Sequence, residues 1–228
     1  MRNTSWSKIA VISGAIVLGA QTAPASAADW TGFYIGGHLG GTWADFDYSH
    51  NQPLVPLVEP LSFDMSSFAG GGQGGYRHQF GNFVAGFELS YTITDMDDTV
   101  TSALVADRSR TVMIDDIFMA TVNLGVPWND WLGYITGGYA GADVDISSNV
   151  ISSGVLTSSS SDWENGWTIG AGLEFAVTPN LRIGAQYNYV DLIIDDRFGV
   201  QTGGFTLQNH QSIDSEIHQV MARVSWQF

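Results

Sequence analysis

Two of the 23 carboxylates stand apart from the rest. Glu88 lies between Phe87 and Leu89, and Glu174 between Leu173 and Phe175, so each interrupts a run of large apolar side chains. Arg77, Arg182 and Arg223 occupy comparable places in other alternating stretches, as do Gln73, Gln186 and His38. Charges enclosed by a fold must be paired and hydrogen-bonded, because an uncompensated buried charge destabilises strongly. Two roles are open to this set: a polar plug of acid–arginine pairs, or a gate whose pairs exchange partners. Paired-carboxylate catalysis fits less well, since nearby guanidiniums keep both acids ionised and leave no proton donor near neutral pH. No catalytic, cofactor or metal role is assigned to any of these residues.

The elements that must position them follow from periodicity. Arg2 and Lys8, the apolar stretch 9–20 and Ala25-Ser26-Ala27 form a secretory signal pattern with cleavage expected after Ala27. That leaves residues 28–228 as one domain. Beyond Ala27 no apolar run approaches the roughly 18 residues of a spanning helix. In 33–43 the odd positions Phe33, Ile35, Leu39 and Trp43 oppose Tyr34, Gly36, His38, Gly40 and Thr42, a period of two. The same alternation recurs in 83–94, 167–177 and 220–228, and more weakly in 68–77, 117–126, 131–144 and 181–190. In 131–144 both faces carry aromatics and glycines, which leaves inside and outside open. Eight strands result. About eleven residues tilted near 45° cover the apolar band of an outer membrane.

Connections alternate in length. Short turns at 79–82, 127–130 and 178–180 separate four long polar stretches at 46–67, 95–116, 146–162 and 192–214. An up-and-down barrel collects short turns at one rim and long loops at the other, as outer-membrane barrels do. Nineteen of the 23 acids fall on the long-loop side, and Ser147 to Ser161 reads as a mobile serine-rich loop. Without Arg2 and Lys8 the chain keeps six arginines against 23 acids, a net charge of −17, which excludes nucleic acid as a partner. With no cysteine, disulfides and thiolate sites are excluded. Loop residues His50 and His210 could meet a metal or haem iron, but nothing fixes their separation, and solvated loops are the preferred reading. His210, Ser212 and Glu216 lack any nucleophile motif. Clusters such as Asp95/Asp97/Asp98 and Asp115/Asp116 lack dedicated cation-loop spacing. They read as a repelling surface, with divalent cations bridging to anionic lipopolysaccharide as the sharper expectation. Trp30, Trp43, Trp128, Trp131, Trp163 and Trp226 are expected in the interfacial girdles.

The sequence resembles the small outer-membrane β-barrels typified by the transmembrane domain of OmpA and by alphaproteobacterial opacity-type surface antigens. The likeness rests on Asp29-Trp30-Thr31-Gly32-Phe33-Tyr34-Ile35-Gly36-Gly37, on Gly166-Trp167-Thr168-Ile169-Gly170-Ala171-Gly172-Leu173-Glu174, on the turn at Pro179-Asn180, on Leu181-Arg182-Ile183-Gly184-Ala185-Gln186-Tyr187 and on Val224-Ser225-Trp226-Gln227-Phe228. It implies an all-β, eight-stranded antiparallel up-and-down transmembrane β-barrel in a bacterial outer membrane. It also implies a terminal Phe228, beside Trp226, recognised by the barrel-assembly machinery. The chain departs from the pattern in a proline-rich first loop (Pro53, Pro56, Pro60) and in lacking lysine after Lys8. The expected role is structural and surface-presenting, in contact with outer-membrane lipid and lipopolysaccharide, with external loops available to a host or surface ligand. A small porin and a barrel enzyme acting on lipid A or surface proteins are the alternatives.

Overall fold

A computed structural model describes residues 28–49, 61–101, 108–150, 155–196, 199–202, 205–208 and 211–228. The expected signal segment 1–27 lies outside the described residues, as do His50 and His210. Ten strands follow in order: β1 (Gly32–Ser49), β2 (Leu61–Phe80), β3 (Phe83–Thr101), β4 (Arg108–Trp128), β5 (Trp131–Val150), β6 (Val155–Ala176), β7 (Leu181–Asp196), β8 (Gly199–Thr202), β9 (Phe205–Gln208) and β10 (Gln211–Gln227). Eight of them close into an antiparallel barrel in the order β1-β10-β7-β6-β5-β4-β3-β2, while β8 and β9 pair as a separate hairpin. Every barrel strand is thus hydrogen-bonded on both sides. The seam runs from Tyr34↔Gln227 to Ser49↔Ser212, and the Phe228 amide donates to the Phe33 carbonyl at 2.9 Å.

The tight turns at one rim use residues that tolerate the left-handed region, Gly81 at φ 64° and Asn129 at φ 55°. Outward positions carry Phe33, Ile35, Leu39, Phe87, Leu89, Ile135, Ile169, Val224, Trp226 and Phe228, all exposed. Parity in β5 is now settled. Leu132, Tyr134, Thr136, Ala140 and Ala142 point inward, and Trp131, Ile135 and Tyr139 outward.

The four long stretches are largely strand rather than loop. β3 reaches Thr101 and β4 restarts at Arg108. The serine-rich segment pairs with its own continuation, Ser147↔Ser159 and Ser148↔Ser158. The physical reason is that the period of two persists past the membrane with its chemistry exchanged. Asp95 and Asp97 point out around inward Met96, Asp143 and Asp145 flank inward Val144, and Asp191 precedes inward Leu192. Outward acids gave these stretches the polarity of loops. The register shifts between Ile93 and Met96, and between Ile114 and Ile117, where the wall leaves the apolar band, as bulges accommodate a change in strand bend.

Trp30 departs from its expected place. It is fully buried beneath the short-turn end of the lumen and does not join the girdle. It precedes β1, so the strand alternation did not govern its direction. Trp43, Trp128, Trp131, Trp163 and Trp226 are outward-facing and exposed.

Inward glycines make the lumen wide enough for its side chains. At Gly184 an added Cβ would stand 2.5 Å from the Leu173 carbonyl oxygen and 2.7 Å from Glu174 Cγ, whereas at outward Gly41 it would meet nothing within 4 Å. Gly184→Val is therefore expected to lower the urea midpoint of the refolded protein by the equivalent of about 1–3 kcal/mol, a typical overpacking cost. Gly41→Val should leave that midpoint within about 0.5 kcal/mol.

Candidate functional site

The lumen holds two layers of different chemistry. The layer nearer the short turns is ionic. Arg77 of β2 grips Glu174 of β6 across the barrel with two bonds, Nη1 to Oε2 at 2.6 Å and Nη2 to Oε1 at 2.8 Å. Such a fork is the strongest side-chain pairing available to arginine. Arg223 of β10 donates through Nη2 to Glu88 Oε2 of β3, and Arg77 Nη2 lies 3.9 Å from the same oxygen. The Tyr34 hydroxyl donates to Glu88 Oε2 at 2.7 Å. Arg77 is sandwiched between aromatic rings, its guanidinium carbon 4.4 Å from the Tyr34 centroid and 5.2 Å from that of Tyr134. All four charged side chains are buried.

A neutral chain continues upward. Arg223 Nη1 donates to Gln186 Oε1 and, at 3.2 Å, to the Tyr134 hydroxyl, which itself donates to Gln186 Oε1 at 2.6 Å. Gln186 then donates to Asn188 at 2.7 Å. On the opposite wall Gln73 Nε2 donates to the Gly37 carbonyl, which turns Gln73 Oε1 toward His38. His38 Nδ1 therefore donates to Gln73 at 2.8 Å, and Nε2 accepts from the Thr92 hydroxyl at 2.9 Å, so a single neutral tautomer satisfies both partners.

Of the candidate residues, the structure thus joins Glu88, Glu174, Arg77, Arg223 and Gln186 in one network and sets the His38–Gln73 pair beside it. Arg182 does not pair with a carboxylate. Its Nη1 donates to the carbonyls of Thr178 and Pro179 at 2.7 and 2.9 Å, its Nη2 to that of Asp29 at 2.9 Å, and its guanidinium covers the Trp30 ring at 4.9 Å. It ties the amino-terminal segment over the short-turn mouth. Tyr34 and Tyr134 belong to the network but were not among the candidates. The signal available was an aromatic on the face that otherwise carries glycine and polar residues, as at Tyr34 opposite Phe33 and Ile35.

Above this lies an apolar layer: Ala44, Met65, Met96, Ile114, Ile117, Met119, Ala140, Ala142, Val144, Val190, Leu192 and Ile217, all buried in one cluster. Between the layers sits a cavity of about 10 Å³ lined by His38, Thr92, Met119, Asn188, Gln219 and Met221, room for about one water. Nearby, Thr42 Oγ1, Thr94 Oγ1, Ser215 Oγ and Gln219 Nε2 have no hydrogen-bond partner among the described residues.

Outside the apolar layer the wall is acidic. Partial burial, and then the neighbouring Asp145, Asp116, Asp143 and Asp95, push the Asp115 carboxyl above its ordinary value. Among the described residues no group of three or more metal-ligating side chains is placed to hold a metal ion.

A closed antiparallel barrel with an apolar outer band, aromatic rims and a polar interior is an integral outer-membrane β-barrel. The chain belongs to the outer membrane protein beta-barrel domain family, whose model matches residues 13–228. It is 29% identical over 181 residues to the 31 kDa outer-membrane immunogenic protein of Brucella melitensis biotype 1, covering 75% of this chain and 74% of that one. It is 31% identical over 194 residues to the 22 kDa outer membrane protein of Rhizobium leguminosarum bv. viciae, covering 82% and 76%. Among solved structures it resembles outer membrane protein OprG from Pseudomonas aeruginosa, at TM-score 0.52 and 11% identity over 88% of this chain and 99% of that one. That last likeness concerns the fold alone. The protein resides in the outer membrane.

Two measurements follow from the lumen and the acidic wall. Glu174→Ala and Arg77→Ala should each cost about 3–5 kcal/mol in urea unfolding, because each strands a buried charge. The double substitution should cost clearly less than their sum, and additivity would show the pair to be uncoupled. For Asp115, a raised folded-state pKa means the ionised form destabilises the fold, so stability rises as pH falls through that pKa toward the ordinary carboxylate value. A thermal melt of the detergent-refolded protein should show this gain, and Asp115→Asn should reduce it.

Proposed function

We propose that this protein is a closed structural barrel of the outer membrane that holds an acidic crown above the lipid surface for contact with the surroundings. The observation that carries the reading is the pairing of two packed layers in one lumen. An eight-stranded barrel is only just wide enough for side chains to fill. Here an ion-paired layer is stacked against an apolar one, and the cavity between them admits about one water. A bare ion crossing the apolar layer would lose its hydration without replacement, as at a hydrophobic constriction. The Glu–Arg pairs are then a mechanical and electrostatic filling, and the apolar layer is the permeability barrier.

The crown supports the presenting role. β3, β4, β5 and β6 continue seven to nine residues past the outer end of the apolar band. At about 3.3 Å per residue and a tilt of 35–45°, that lifts the strand ends roughly 16–24 Å above the membrane. The Brucella relative is named an outer-membrane immunogenic protein, which agrees with exposed material held clear of the lipid. Outer-membrane lipid and lipopolysaccharide surround such a barrel, and its Phe228 terminus suits recognition by the assembly machinery. An enzymatic reading is less favoured, because Glu88 and Glu174 each accept from arginine and neither is left as a proton donor.

Planar-bilayer recording separates the closed barrel from the small porin. The wild-type protein and Glu174→Gln should both show no resolved single-channel steps. Ile117→Asp, checked for folding by its heat-modifiable mobility on gels, should introduce them by wetting the apolar layer. Steady discrete conductance in the wild-type protein would overturn the closed reading in favour of a porin.

A further inference from the structure

The outer end of the apolar band is not uniform around the barrel. Over β6, β7, β10 and β1 the wall carries a continuous run of ring contacts. Trp167 stands 5.5 Å from Tyr189, Tyr189 5.4 Å from His218, and His218 5.8 Å from Trp43. At its edge, on β6, one tryptophan is fixed in an unusual way. The Trp163 indole Nε1 donates to the Tyr139 hydroxyl at 3.0 Å, and that hydroxyl donates to Asn165 Oδ1 at 2.6 Å. Beneath the indole is Gly141, where an added Cβ would come within 2.7 Å of the indole Cζ2, the indole Nε1 and the Tyr139 hydroxyl. The ring therefore lies flat on the wall with its donor turned inward. Its opposite face is open, and the side chain is 45% exposed.

A girdle tryptophan ordinarily aims its N–H at the wet headgroup region. Trp163 has spent that donor internally and offers a rigid aromatic face instead. The face carries the negative side of the ring quadrupole, which attracts polarised C–H groups and cations. Asn165 sits beside it, and Asp143 stands directly opposite Trp163 on the neighbouring strand. A flat aromatic face bordered by an amide and carboxylates suits a pyranose ring, whose C–H face stacks while its hydroxyls donate. The acids of the adjoining wall, Asp115, Asp116, Asp143 and Asp145 among them, disfavour a phosphorylated ring. The height of the face, at the outer headgroup level, favours a saccharide carried on a lipid.

We propose that Trp163, Tyr139 and Asn165 form a docking face for the non-phosphorylated sugar headgroup of an outer-leaflet glycolipid. The site rests on the wall and is independent of whether the lumen conducts. The full refolded chain, in nanodiscs of phosphatidylethanolamine containing diglucosyl diacylglycerol, is released into native mass spectrometry and the lipids it retains are counted. Retention of the glycolipid over phosphatidylethanolamine is expected, and Tyr139→Phe, which keeps the ring and frees the indole, should reduce it about fivefold, the size of one aromatic contact. Trp163→Leu should abolish the preference. Trp128→Leu should leave it unchanged, since Trp128 lies over a glycine at the opposite rim without belonging to this face. Equal retention by wild type and Tyr139→Phe would overturn the proposal. So would a preference for bisphosphorylated lipid A over its dephosphorylated form, or displacement of the glycolipid by equimolar free maltose, which would assign the face to soluble saccharide.

Discussion

Closure of the backbone ladder is the constraint on which everything else in this molecule depends. In hydrocarbon an unpaired amide or carbonyl has no water to turn to, so a sheet can cross a membrane only if it has no edge. The pairing of β1 with β10 removes the last edge, and Phe228 bonding to Phe33 carries the ladder to the final residue. Once eight strands close, the width of the interior is no longer free. Inward glycines, the Arg77–Glu174 fork and the stacked Tyr34 and Tyr134 rings are the means by which that fixed width is filled.

The same ladder passes through two solvents, and its side-chain pattern inverts where the solvent changes. Within the membrane, large apolar groups face out and charged or amide groups face in. Hydrophobic burial gains nothing there, because lipid is as apolar as any core, and the interior can be held by pairing and shape. In the crown the outside is water. Apolar groups must now face in, since burial supplies the main driving force, and carboxylates face out. Met96 inside Asp95 and Asp97, and Val144 inside Asp143 and Asp145, are this inversion at single-residue scale. The bulges at Ile93/Met96 and Ile114/Ile117 fall at the change of medium.

That inversion also explains what could be read from the sequence and what could not. The eight strands, their outward apolar face and the burial of Glu88 and Glu174 followed from a period of two against a lipid background. The crown did not, because outward carboxylates give a strand the polarity of a loop. The alternation was present in Asp95-Met96-Asp97 but carried the opposite meaning. Arg182 was visible as a lumen residue, while its partners were not. They are carbonyls of a turn and of Asp29, and backbone acceptors leave no trace in composition. Trp30 was misplaced for a related reason, since it lies before the first alternating residue and its direction is set by the Arg182 guanidinium above it. The pairing of Arg77 with Glu174, 97 residues apart, depends on barrel diameter and stagger, which parity alone does not define.

The two interior layers divide the work in a way neither could manage alone. A wholly ionic interior would leave narrow polar seams between its pairs, and water in those seams would weaken each pair by screening. A wholly apolar interior within the membrane would give the strands no preferred registration, because apolar side chains are satisfied in many arrangements while a bidentate fork is satisfied in one. Here the apolar layer packs above the ionic layer on the outer side, and Arg182 with Trp30 covers it from the other. The Glu–Arg network, placed in this way, can specify how the strands meet while the layer above it contributes apolar packing.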